Sequence, residues 1–219
     1  MSRMLTRGGV EFLAVFLGIG LSFNVEEWRE DAQIKNRLKN DYLSIKNDLE
    51  KDLPYLIRIA EEQSFAKENA QKMIKMLHPD SVFNYDKFMI LHNDLEGDNT
   101  FFGTQSSYDV SVASGRLTYF GNDQISNEIG KIYSHHYYRI HYNGELLDKV
   151  YSRPVSRLVT GPTVSKAQIK KDNIALIKSH NYLAELQLIA EFQGIYISRC
   201  EWGIDQIKKV IKMLNKEIS

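Results

Sequence analysis

The chain has 219 residues, 43% hydrophobic and 26% charged, so it can bury a core and is not a disordered tail. Its 28 Lys+Arg balance its 28 Asp+Glu, and without a basic surplus it lacks what a dedicated nucleic-acid binder needs to displace counterions from phosphate. A single cysteine, Cys200, excludes an internal disulfide framework and any cysteine-rich metal site.

Residues 8–25 read GGVEFLAVFLGIGLSFNV and carry one charge, Glu11. Apolar side chains occupy every face of the implied helix, which is not the stripe of a helix on a soluble core. At roughly 1.5 Å per residue this stretch covers about 27 Å, a short membrane span. Trp28 follows, where an indole prefers the lipid–water interface. Arg3 and Arg7 precede the span, while Glu26, Glu27, Glu30 and Asp31 follow it against Arg29. The basic flank predicts a cytoplasmic N-terminus, residues 1–7, and a domain of residues 26–219 in the periplasm, anchored to a bacterial inner membrane. A cleaved signal peptide is the competing reading, although Phe23-Asn24-Val25 is a poor exit. A buried helix of a soluble domain is another, since the length sits at the lower limit for a span. A helix lying in the interface plane would need a polar face.

Glu11, Ala14, Gly18 and Ser22 share one face of the anchor, and the small residues would let a second helix approach closely. Glu11 on that stripe either bonds across a helix pair or snorkels to the membrane edge beside Arg7.

Beyond the anchor, spacings of three and four predict a long helix to Leu77: Ile34, Leu38, Tyr42, Ile45, Leu49, Leu53, Leu56, Ile59, Gln63, Ala66, Ala70, Met73 and Leu77 mark one face, and Pro54 is expected to kink or divide it. Asn84 is a cap for a short helix from Tyr85 to Asp94, and residues 96–99 are a turn. Ser106 or Ser107 should cap another short helix, closed by Gly115 in a left-handed conformation. Asn122 or Asp123 then caps a helix to about Leu158, with Ile125, Ile129, Ile132, His136, Ile140, Asn143, Leu147 and Val150 on its inner face and Pro154 expected to bend or weaken its end. A loop at residues 160–163 leads into helix from about Lys166 to Ile218, broken near Ser179–Asn181. Its last part carries a seam of Ile197, Cys200, Ile204, Ile207, Ile211, Leu214 and Ile218. No run shows strand alternation between hairpin turns. The expected class is all-α: an N-terminal transmembrane helix followed by an antiparallel bundle of long helices.

Two stretches together resemble a family of uncharacterised bacterial single-span membrane proteins. One is Glu11 with Gly18 seven residues on, followed by Trp28-Arg29-Glu30; the other is Ser114-Gly115-Arg116-Leu117 with Asn122-Asp123 and the helix through Tyr133. The resemblance covers about residues 8–135, and the chain departs from it at Glu26 and Glu27, where asparagine is common. It implies an anchor and a helical domain, and no activity.

The segment from Lys131 to Tyr142 is the one unusual constellation. Tyr133 with His136, and Tyr137 with His141, would share helix faces. They form either a packed aromatic surface or a ligand pocket; adjacent His135 and His136 diverge on a helix, and no carboxylate lies between Glu128 and Glu145 to complete a metal site. Phosphate loops, nucleophile elbows and zinc-protease signatures are absent. Cys200, on an apolar seam, is expected to be an inert thiol, and Lys208, Lys209, Lys212 and Lys216 suit a helix C-terminus. The expectation is a membrane-anchored scaffold or accessory subunit of an envelope complex, without catalytic activity or cofactor. Its partners would be lipid and either further copies of itself or another membrane protein. The alternative is a ligand-sensing bundle that signals through a partner.

Overall fold

The computed structural model describes the backbone of residues 2–95, 100–155, 157–158 and 165–219, and the side chains of these except 2–15, 20, 23, 24, 154 and 155. The side chains of Glu11 and Ala14, that of Pro154, the turn at 96–99 and the loop at 160–163 lie outside the described residues.

Helix α1 runs unbroken from Ser2 to Met76. Then come α2 (Tyr85–Asn93), α3 (Ser106–Ala113), a π-helical turn (Arg116–Phe120), α4 (Asp123–Lys131), a π-helical segment (Ile132–Tyr137), α5 (Tyr138–Val155), α6 (Lys166–Ile177) and α7 (His180–Ile218). The described residues contain no strand.

The helix boundaries follow the caps. Asn84 accepts from the Lys87 N–H at 3.0 Å, Asn122 from those of Gln124 and Ile125, and Ser165 and Ser179 open α6 and α7 in the same way. Gly115 closes α3 at φ +73°, a conformation that costs side-chain-bearing residues strain. At α3 the expected serine cap is absent: Gln105 sits there without a side-chain bond, and Ser107 is used elsewhere.

The body is built on three long helices. Tyr42 lies near Glu217, Leu53 beside Ile211 and Ile57 beside Ile204, so α7 runs antiparallel to α1. On its other side α7 meets α5, and Gly203 is where Ile140 of α5 and Leu56 of α1 both press on its backbone. Leu49, Leu56, Met73, Ile140, Leu186 and Ile207 are fully buried between them. Tyr196, Gly203 and Val210 join Cys200, Ile207 and Leu214 in this core, whereas Ile197, Ile211 and Ile218 of the expected seam are only half-buried. A helix wedged between two neighbours buries a wider stripe than one seam.

Pro54 does not divide α1. Both Pro54 and Glu50, whose carbonyl loses its helical N–H partner, are solvent-exposed, so water can satisfy that carbonyl. Leu49 and Leu56, buried on either side, hold the helix to α7.

Leu38 is the first buried residue of α1 among the described side chains. Before it, from Phe16 on, every described side chain is exposed except half-buried Ile34. Among the described residues no helix is long and apolar enough to cross a membrane. Within 8–25 these include the side chains of 16–19, 21, 22 and 25 only, so the expected spanning helix gains no support from that criterion.

Candidate functional site

The stem of α1 is the first candidate. Phe16, Leu17, Ile19, Leu21 and Val25 are all more than half exposed, and their positions circle the helix. Among the described residues, and apart from its own helix backbone, nothing lies within 4 Å of where a Gly18 side chain would begin, and the Ser22 hydroxyl donates to the Gly18 carbonyl at 2.8 Å. Trp28 is 79% exposed, one turn beyond the apolar run, and Arg29 pairs with Glu26 at 3.0 Å.

A second constellation lies on the body and was not foreseen. Asp41, Asp48 and Asp52 recur at seven and four residues, so they line one face of α1. Asp48 and Asp52 are buried. Each carboxylate is met by donors from the irregular segment between α2 and α4. Arg116 grips Asp41 with two nitrogens at 2.6 and 3.0 Å, and the Ser111 hydroxyl donates to it at 2.9 Å. The Ser107 hydroxyl donates to Asp48. Asp52 accepts from the Thr104 N–H and hydroxyl, both at 2.8 Å, and from the Tyr137 hydroxyl at 2.7 Å. The chain just before α3 is thereby strapped across the helices. Its Phe101 is fully buried, edge-on to Tyr137, and the Phe101 N–H donates to the Tyr196 hydroxyl at 3.0 Å. Gly103 lies flat on the Tyr137 ring, where a Cβ would come within 2.1 Å of it.

The π-helical segment decides where the tyrosines and histidines go. A π turn holds more residues than an α turn, so it moves the buried face on by one position. Tyr137, not His136, therefore continues the inner stripe, which runs Ile129, Tyr133, Tyr137, Ile140, Gly144, Leu147 and Tyr151. The structure brings Tyr133 and Tyr137 together, ring centroids 5.3 Å apart, and stacks Tyr108 on Tyr133 at 4.2 Å. Burial, and next the charge of Asp52, push both phenols well above the ordinary tyrosine range, so they stay protonated. The Tyr133 hydroxyl is buried without a hydrogen-bond partner among the described residues. His136 is half-buried beside His135, its pKa lowered by burial and then by the neighbouring His135 and Lys131. His141 faces Phe102 at 4.7 Å and reaches Glu145 at 3.4 Å.

What this arrangement can do chemically is limited by how completely it is bonded. The aspartates hold structural donors, and burial pushes the Cys200 thiol up to about 12, far from a nucleophilic thiolate at neutral pH. No group of three or more His, Cys, Asp or Glu able to hold a metal occurs among the described residues.

A signal for the aspartate row was present in the sequence. Thr104, Ser107 and Ser111 follow spacings of three and four, so hydroxyls line one side of the α3 region as aspartates line one side of α1. Either row alone reads as a solvated polar face, and only their apposition makes them partners.

No curated protein and no solved structure matches the chain. The profile of one family matches residues 11–188, the greater part of the chain and beyond the stretch over which a resemblance was legible. The chain therefore belongs to a family of unknown function (DUF6090).

Proposed function

We propose that this protein is a single-span, membrane-anchored helical scaffold or accessory subunit of a bacterial cell-envelope complex. The observation that carries this reading is the stem: a helix continuous with the body on which Leu17, Ile19, Leu21 and Val25 are each more than half exposed. In water each such side chain costs about 25 cal/mol per Å² of apolar surface, a cost that lipid removes. The Ser22 hydroxyl spends its hydrogen bond inside the helix and so adds little penalty in lipid. Trp28 then falls at the interface, Arg3 and Arg7 on the cytoplasmic side and the acidic 26–31 stretch outside. Open space around Gly18 is compatible with a second helix against the Glu11, Ala14, Gly18 and Ser22 stripe. A scaffolding role, as opposed to a catalytic one, is supported by the structural bonding of the buried carboxylates and by the inert thiol.

Alkaline extraction of membranes and cysteine labelling test the proposal. The full chain is expected to stay in the membrane pellet. A cysteine replacing Ser2 is expected to react only after permeabilisation, and one replacing Asn36 to react in intact spheroplasts. Native chain recovered from the aqueous fraction without detergent overturns it.

A further inference from the structure

Among the described residues nothing covers the face of the α1–α7 pair turned away from α5. Three open hollows of about 400, 390 and 630 Å³ follow one another along this seam, starting nearest the stem. The first lies over Leu53 and Ile211, the second over Ile57 and Ile204, the third beside Gly194 and Trp202. Phe65 is 57% exposed and Trp202 53% exposed on this face. A row of apolar hollows between two parallel ridges has the shape that receives an amphipathic helix.

The charges beside the hollows alternate in sign. Lys208, Lys212 and Lys216 rim the first, and no acidic side chain lines it. Glu61, Glu68 and Glu201 rim the second; among the described residues only Glu68 of the three has an ion-pair partner, Lys72 at 3.8 Å. Lys67 and Arg199 rim the third with Glu191, and neither cation is in an ion pair among the described residues. The Arg199 guanidinium lies over the Trp202 ring at 4.7 Å, and its Nε is buried without a hydrogen-bond partner among the described residues. From the stem outward the seam reads positive, negative, positive.

That order argues against a second copy in this groove. On the anchoring proposed above, two copies share one membrane, and a two-fold axis along the membrane normal sets each level against itself. Lysines would then face lysines and Glu61 and Glu201 would face their own counterparts, which disfavours the pair. We propose that the α1–α7 groove is the docking site for an amphipathic helix of a different protein. That helix carries acidic residues towards both ends and basic residues in the middle, around a central apolar stripe. Trp202 and Phe65 anchor it in the groove, and the alternating charges set its register.

The test uses the full chain in lipid nanodiscs with Trp28→Phe, which leaves Trp202 as the one indole. Two synthetic helical peptides share one apolar face; one carries acidic, basic and acidic thirds, the other the opposite signs. This pattern reads the same in both directions, so peptide orientation does not confuse the result. The matched peptide is expected to shift Trp202 emission saturably and to bind at least ten-fold more tightly, with the preference shrinking as salt is raised. The double variant Lys208→Glu, Lys212→Glu is expected to lose that preference while keeping its helical circular dichroism. Equal binding of both peptides, or no response of Trp202, overturns the proposal. A Trp202 shift that follows the protein's own concentration without peptide also overturns it, in favour of a second copy. If the chain fails to enter nanodiscs, the anchor reading falls, and the same titration of the chain in solution still decides the groove.

Discussion

Asp52 is the residue on which the strap depends. Its buried carboxylate collects three donors from two separate parts of the chain, Thr104 twice and Tyr137 once. Removing it leaves those donors buried and unpaired, at about 1–3 kcal/mol for each that finds no substitute. Asp52→Ala is therefore expected to lose roughly 3 kcal/mol, and Tyr137→Phe, which leaves Asp52 two donors, about 1 kcal/mol. Denaturant unfolding followed by circular dichroism compares them; equal small losses would show that the strap is held by Phe101 packing instead. At this scale the sequence was read well for apolar positions and poorly for buried polar ones. Leu38, Tyr42, Ile45 and Leu49 announce themselves by spacing, but Asp48 and Asp52 look like surface charges until their donors are in place.

Among the elements, α4 shows how a charge fastens one helix to another. Glu128 accepts from Gln206 at 2.8 Å and Lys209 at 2.7 Å of α7, and from Lys131 of its own helix. These bonds, Gln206's first, hold its pKa at about 2 against an ordinary 4.5. A lowered carboxylate pKa adds stability above the unfolded value and loses it as pH falls through the folded one. The stability gap between the native chain and Glu128→Gln should therefore be full above pH about 4.5 and close as pH falls towards 2. A gap that stays constant over that window would place the contribution in packing rather than charge. Helix starts were legible because Asn84, Asn122 and Ser179 satisfy backbone N–H groups locally. The π segment was not, because a widened turn is selected by what the helix packs against: with it, Tyr137 reaches Asp52 and Gly103, and the inner face passes from His136 to Tyr137.

Taken whole, the molecule is a compact body on a helical stalk. Between Val25 and Leu38 no break occurs in α1, so about 20 Å of helix, at roughly 1.5 Å per residue, separates the end of the apolar stem from Leu38, the first buried residue among the described side chains. On the anchoring proposed above, this length would hold the body off the bilayer and leave the α1–α7 groove open. The two tryptophans report it directly. In liposomes carrying headgroup quenchers, a chain with Trp28 alone should be strongly quenched, and one with Trp202 alone scarcely at all. Comparable quenching of both would mean that the body lies down on the membrane.

By itself the sequence determined the helical class, the order of the helices, the caps at Asn84 and Asn122 and most of the apolar stripe on α1, because these depend on contacts within a few residues along the chain. Tertiary structure alone decided that α1 passes straight through Pro54, that a π turn exchanges His136 for Tyr137, and that three aspartates meet a row of hydroxyls. It also decided that one side of the α1–α7 pair stays uncovered. Each of these rests on groups far apart in sequence, whose bonds and burial exist only once the helices have packed.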